Sequence, residues 1–193
     1  EEMQNAAKLA NIAGSVANTT SSDYFMLNDA NMASAKTNLF LKQKIKHEII
    51  SKDNKVEHKV TITYINPSKA SNCNLEKGDL CLNAPKYRNW FRFYVPTGSK
   101  LVKMTGSEIE PVQYEELGKQ VFEGFYGNKF GLNPQSSLKT SIQYESSIAP
   151  SANYSLLLQK QPGTKAIEYE LYVNGRKYDS FSWVADKTIK ISF

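Results

Sequence analysis

The run Tyr87-Arg88-Asn89-Trp90-Phe91-Arg92-Phe93-Tyr94-Val95-Pro96-Thr97-Gly98-Ser99 places five aromatic residues in its first eight positions, then breaks at a Pro-x-Gly turn. Aromatic and β-branched side chains suit a pleated, half-buried surface, so the stretch reads as a β-strand. On a period of two, Tyr87, Asn89, Phe91, Phe93 and Val95 share one face, and Arg88, Trp90, Arg92 and Tyr94 share the other. Large rings on both faces require cover on both, which makes this a central strand of a layered β-protein. It explains a core and carries no reaction.

The same period extends upstream. Leu41, Ile45 and Ile49 share a face opposite Lys42, Lys44, Lys46 and Glu48. Beyond the polar turn 51–55, Val56, His58, Val60, Ile62 and Tyr64 alternate with Glu57, Lys59, Thr61 and Thr63. Two alternating runs about a short polar turn make a β-hairpin. Downstream, strands are predicted over 100–104, 121–126, 137–144, 154–159, 166–173, 177–184 and 187–193, with Asn174-Gly175 as a hairpin turn. The polar stretch 69–85 and the acidic stretch 107–118 read as loops. About nine strands with regularly spaced turns predict an all-β fold, an antiparallel β-sandwich, immunoglobulin-like in general architecture.

Residues 3–17 combine alanine with apolar residues at helical spacing, which predicts an amphipathic helix. Tyr24-Phe25-Met26-Leu27 is too short a run to assign. The expected organisation is a helical lead-in and linker over 1–35 and a sandwich domain over 36–193.

A chain of 193 residues, 40% hydrophobic and 22% charged, is composed as a single folded domain. No apolar run approaches the ~20 residues that span a bilayer. The start, Glu1-Glu2-Met3-Gln4, lacks the basic and apolar segments of a signal peptide and reads as part of a longer chain. The net charge of +5 invites a nucleic-acid partner. Its lysines are scattered, however, the arginines are only Arg88, Arg92 and Arg176, and no glycine-rich phosphate loop is present. No nucleic-acid partner is expected. A mildly basic surface suits an anionic wall or membrane as well.

Few residues suggest chemistry. Cys73 and Cys81 enclose seven residues, a spacing that fits neither a zinc site nor a thioredoxin-like motif. They form a local disulfide in an oxidising compartment or stay as two thiols in a reducing one. His47 and His58 face inward on the two arms of the first hairpin, where an even-numbered turn could place them opposite each other. A metal pair there has no obvious third ligand, and packing within a sheet is the plainer reading. Glu108, Glu110, Glu115, Glu116 and Glu123 cluster, but nothing fixes two of them across a cleft as glycoside hydrolysis requires. No Gly-x-Ser-x-Gly elbow offers a hydrolase nucleophile. Catalytic residues, cofactor and metal are therefore not expected. Trp90 and Trp183 could stack on sugar rings, although alternating aromatics more often fill a sandwich core.

Several segments together resemble a known family. These are Asp29-Ala30-Asn31 with Lys36-Thr37-Asn38, Tyr87-Arg88-Asn89-Trp90 through Val95-Pro96-Thr97-Gly98-Ser99, Gly118-Lys119-Gln120-Val121-Phe122-Glu123-Gly124-Phe125, and Leu158-Gln159-Lys160-Gln161-Pro162-Gly163-Thr164. In that order they resemble the carboxy-terminal region of the bacterial family catalogued as domain of unknown function 4012. The tyrosine-rich strand and the Gln-Lys-Gln-Pro-Gly-Thr stretch are the most specific parts. The resemblance implies a large protein outside the cytoplasm, anchored by an amino-terminal transmembrane helix that this chain does not contain. It implies an upstream region distantly like the LytR-CpsA-Psr cell-wall ligases, absent from this chain, so no catalytic residue carries over. It also favours the Cys73–Cys81 disulfide. The function so implied is that of a non-catalytic interaction or scaffolding module of the cell envelope, with wall polymer or a surface protein as partner. The alternative is an accessory domain of a glycopolymer transferase.

Overall fold

Alternating burial decides most of this fold. The computed structural model describes residues 2–9, 14–19, 21–33, 36–69 and 86–193. Among them are a helix, α1 (Glu2–Leu9), a 3-10 turn at Thr37–Leu39 and twelve strands. The strands are β1 (Asp23–Asn31), β2 (Lys42–Lys52), β3 (Lys55–Asn66), β4 (Asn89–Pro96), β5 (Lys100–Thr105) and β6 (Val112–Glu116). They continue with β7 (Lys119–Tyr126), β8 (Ser136–Ser146), β9 (Ser155–Gln159), β10 (Ile167–Val173), β11 (Arg176–Trp183) and β12 (Lys187–Lys190).

Two six-stranded sheets result, ordered β12-β9-β1-β4-β7-β6 and β11-β10-β2-β3-β8-β5. Each place in one order is held by the sequence neighbour of the strand at the same place in the other. Ring contacts across the core follow this pattern: Phe25 of β1 meets His47 of β2 at 5.4 Å, and Phe122 of β7 meets Tyr144 of β8 at 6.2 Å. The architecture is that of an all-β sandwich.

The aromatic strand lies where its two-faced pattern places it. β4 is flanked by β1 and β7, with Asn89, Phe91, Phe93 and Val95 buried in alternation. Phe91 stands opposite Gly124 of β7, where an added Cβ would come within 2.6 Å of the ring. The glycine thus leaves room for the phenyl group. Two-residue turns close three hairpins: Asp53-Asn54, Leu117-Gly118 and Asn174-Gly175 each have positive φ at both positions, as the twist of paired strands demands.

Four expectations need correction. The sheets are mixed, because β1 pairs in parallel with β9 and β10 with β2. The chain travels through many intervening strands before each of these pairings, so it can return in either direction. Next, β1 lies within the segment read as lead-in, yet it is hydrogen-bonded to β4 and β9 on its two sides. Third, β6 occupies part of the acidic stretch read as a loop, at the edge of its sheet. Finally, the helix expected over 3–17 does not extend through 14–17: among the described residues α1 covers Glu2–Leu9, and residues 14–19 are irregular, with Gly14 at φ +66°. Val16 and Ala17 of this segment pack on Tyr24, Met26, Tyr94 and Val121, and so cover the outer side of the first sheet.

Candidate functional site

The two tryptophans chosen from the sequence do not meet in one place. Cys73 and Cys81 lie outside the described residues. Trp183 is only 1% exposed and packs edge-on to Tyr169 at 5.4 Å, so it offers no open face for stacking. Trp90 is partly exposed in the other sheet and leans on Phe125 at 5.5 Å. Because β4 and β11 belong to different sheets, the two indoles cannot share a platform. Alternating aromatics have gone to the core, as packing favours.

His47 and His58 do approach each other, but as diagonal neighbours: His47 pairs with Val60, and His58 with Ile49. His47 Nε2 lies 2.7 Å from His58 Nδ1. Two metal bonds of ~2 Å would need the nitrogens to converge on a common point, whereas these share one hydrogen. Sequence reasoning missed the third member, Asp23. Its Oδ2 lies 2.9 Å from His58 Nε2 and also accepts from the Tyr154 hydroxyl. The Tyr24 N–H donates to Asp23 Oδ1 at 2.6 Å. At the far end, Tyr169 Oη lies 2.5 Å from His47 Nδ1. The only local sign of this role was an acidic residue at the entrance of the apolar run Tyr24–Leu27.

Every member of this chain is buried. With His47 neutral, two hydrogen patterns satisfy it. In one, Tyr169 donates to His47, His47 to His58 and His58 to Asp23. In the other, His58 carries both ring hydrogens, donating to Asp23 and to His47, and His47 donates to Tyr169. His47 is neutral in both. Burial, then the neighbouring His58, holds the His47 pKa well below the usual imidazole range. Burial pushes the Asp23 carboxyl up, but His58, Tyr154 and the Tyr24 amide outweigh it, so the net shift is down. The Tyr144 ring stacks on His58 at 4.7 Å and closes the chain off from solvent. The assembly crosses the core as a polar strut.

A second polar cluster surrounds Asp29, toward the other end of β1. Asp29 Oδ1 accepts from Tyr64 Oη at 2.8 Å and Asn89 Nδ2 at 2.6 Å, and Oδ2 accepts from Gln43 Nε2 at 2.6 Å. Gln161 clamps the backbone of the same residue. Its Oε1 accepts the Asp29 N–H at 2.9 Å, and its Nε2 donates to the Asp29 carbonyl at 3.0 Å. Burial pushes the Asp29 carboxyl up, against the pull of these donors and of Lys160. Lys160 is itself lowered to about 8 by burial, with Asp29 opposing. A cavity of about 150 Å³ opens above Asp29, lined also by Asn38, Gln43, Gln161 and Thr164. Three of the stretches quoted for the resemblance therefore meet at one pocket.

The third feature is a groove of about 550 Å³ on the outer side of the second sheet. Lys44, Lys46, Lys139, Thr61, Thr63 and Ser182 are among its lining residues. Lys44 pairs with Glu168 at 2.6 Å and Lys46 with Glu48 at 2.8 Å, both in the open. Such exposed pairs contribute little and exchange readily. Among the described residues, Lys139 makes no ion pair. Alternation explains this composition, since the same strands turn Ile45, Ile62 and Tyr169 inward.

No helix among the described residues is long and apolar enough to cross a membrane. Comparison with family models, with characterised proteins and with solved structures finds no match.

Proposed function

We propose that the chain is a non-catalytic extracytoplasmic module of an envelope-anchored bacterial surface protein, kin to the carboxy-terminal region of domain of unknown function 4012. Its role is interaction or scaffolding, and its partner is an anionic cell-wall polymer laid along the outer groove of the second sheet. The groove carries this reading: three lysines outnumber the two glutamates, Glu168 and Glu170, among its lining residues, and a row of hydroxyls lies beside them. Lysines there meet polymer phosphates or carboxylates, while the threonines and serines exchange hydrogen bonds with its hydroxyls. In architecture we group the module with immunoglobulin-like sandwiches in the broad sense of two face-packed sheets, preceded by a helical tether.

Co-sedimentation of the purified chain with isolated bacterial cell walls, across a salt series, tests the proposal. Retention at low salt is expected, with weaker retention for the double variant Lys44→Glu/Lys139→Glu. Exposed charges are screened within ~8 Å at physiological ionic strength, so binding that survives higher salt marks recognition beyond charge. No retention at low salt, or equal retention of the double variant, overturns the groove as the binding face.

A second reading, an accessory domain of a glycopolymer transferase related to the LytR-CpsA-Psr ligases, is favoured by the docking of Val16 and Ala17 on the first sheet. That contact holds the approach from the amino-terminal side against the sandwich. It predicts no wall binding in isolation and a gain in transferase activity when the module is joined to its upstream region.

A further inference from the structure

We infer that the pocket above Asp29 is a binding site for one neutral, polyhydroxylated six-membered ring, a monosaccharide unit either free or at the end of a chain. The inference goes beyond the groove reading. The two sites share no lining residue, so each can fail without the other.

Size comes first. The cavity measures about 150 Å³. An apolar cavity of about that volume takes a single benzene ring, whereas drug-sized ligands occupy roughly 300–1,000 Å³. One ring fits, and a run of polymer does not.

The lining supplies the chemistry. Leu39, Leu41 and Pro162 form an apolar wall, and Asp29, Gln43 and Gln161 form a polar floor. A sugar ring is divided in the same way, with a C–H face and a rim of hydroxyls. A carboxylate offers about four acceptor positions. Three at Asp29 are taken by Tyr64, Asn89 and Gln43, which leaves one for a ligand hydroxyl. Gln43 lines the same cavity, and among the described residues its side-chain carbonyl accepts no hydrogen bond, which makes it a candidate second acceptor. The Gln161 clamp holds the Asp29 backbone in place, so the floor is set before a ligand arrives.

Charge narrows the class. Asp29 and Lys165 both line the pocket, so a cationic or an anionic ligand meets one like and one opposite charge and gains no net pull. A neutral polyol meets no like charge.

The test is a titration of the isotope-labelled full chain with methyl glycosides of glucose, galactose, mannose and N-acetylglucosamine, followed by amide NMR. At least one glycoside is expected to shift the amides of Asp29, Gly163 and Thr164 and the side-chain amide of Gln43 saturably. A single small ring reaches a Kd of about 1 mM, so concentrations to ~10 mM suffice. Leu39 is 48% exposed at the mouth, so Leu39→Trp blocks entry without touching the core. It should keep the thermal midpoint and abolish the shifts. Gln43→Ala should weaken binding about tenfold, the loss of one good hydrogen bond. An oligosaccharide that moves the same amides assigns a chain end, and a response to the methyl glycosides alone assigns a free sugar; both uphold the site. Absence of shifts at these amides with every glycoside, shifts that persist in Leu39→Trp, or an equal response to ethanolamine overturns it.

Discussion

His47 Nε2 and His58 Nδ1 lie 2.7 Å apart inside the sandwich, on diagonal positions of one hairpin, with a carboxylate beyond one ring and a phenol beyond the other. Burial, with His58 alongside, makes a further proton on His47 unfavourable. Acid must therefore act on this strut before it acts on the apolar core around it.

Stability is expected to fall as pH drops below about 6.5, the ordinary histidine value. The folded pKa of His47 is depressed. Below 6.5 the unfolded chain therefore binds a proton that the folded chain refuses, and the stability present above that pH is progressively lost. Such a group gives a slope of up to about 1.4 kcal/mol per pH unit. Asp23, also depressed, adds its own loss below its usual value of 3.8. Urea unfolding at a series of pH values from 7.5 to 4.5 measures the slope, and His47→Phe should flatten it. A profile level between pH 7 and 5 in the native sequence would rule the mechanism out.

Removing the carboxylate should cost more than removing an ordinary surface acid. Asp23→Ala leaves the Tyr154 hydroxyl and His58 Nε2 without their acceptor in a buried site. A loss of about 3 kcal/mol is expected from the orphaned donors. Denaturant midpoints of the variant and the native chain give the difference; a cost under about 1 kcal/mol would show that water replaces the carboxylate.

Leu117 holds φ +52° in the turn between β6 and β7, with its side chain 69% exposed. A left-handed leucine is strained and gains no burial in return. Leu117→Asn, a residue that tolerates this conformation, should raise stability by about 0.5–1 kcal/mol. Thermal unfolding would show a rise of roughly 1–4 °C for a domain of this size. An unchanged or lower midpoint refutes the assignment of strain.

Gly124→Ala should act in the opposite sense. The new methyl meets the Phe91 ring at 2.6 Å in the tightly packed middle of the first sheet. Overpacking of this kind costs about 1–3 kcal/mol. The double variant Gly124→Ala/Phe91→Leu should recover part of the loss, because the clash and the ring disappear together. If the single variant is neutral under chemical denaturation, the sheet has more slack there than the contact implies.

What could be read in advance was local. The hairpin β2–β3 showed itself because one face of each strand is buried and the other wet, and Asn174-Gly175 announced the turn before β11 by its conformational preference. β1 escaped because Asp23 through Leu27 are buried on both faces, which erases alternation and leaves only a short apolar run. β6 escaped for the converse reason: at a wet edge its residues are acidic and exposed, like those of a loop. The Asp23–His58 contact joins positions 35 residues apart, and the Asp29–Gln161 clamp positions 132 apart. Pairings of that kind follow from topology, which no local pattern encodes.

The parallel pairing of β1 with β9 also sets a timetable. As the chain leaves the ribosome from its amino terminus, one edge of β1 must wait, unpaired, until residues 155–159 have been made. Tyr154, which completes the shell of Asp23, emerges at the same moment. β1 and its buried acid are thus finished by a segment 131 residues further along. Until then β1 presents an open apolar edge, the kind of surface that other nascent chains or a chaperone would meet first.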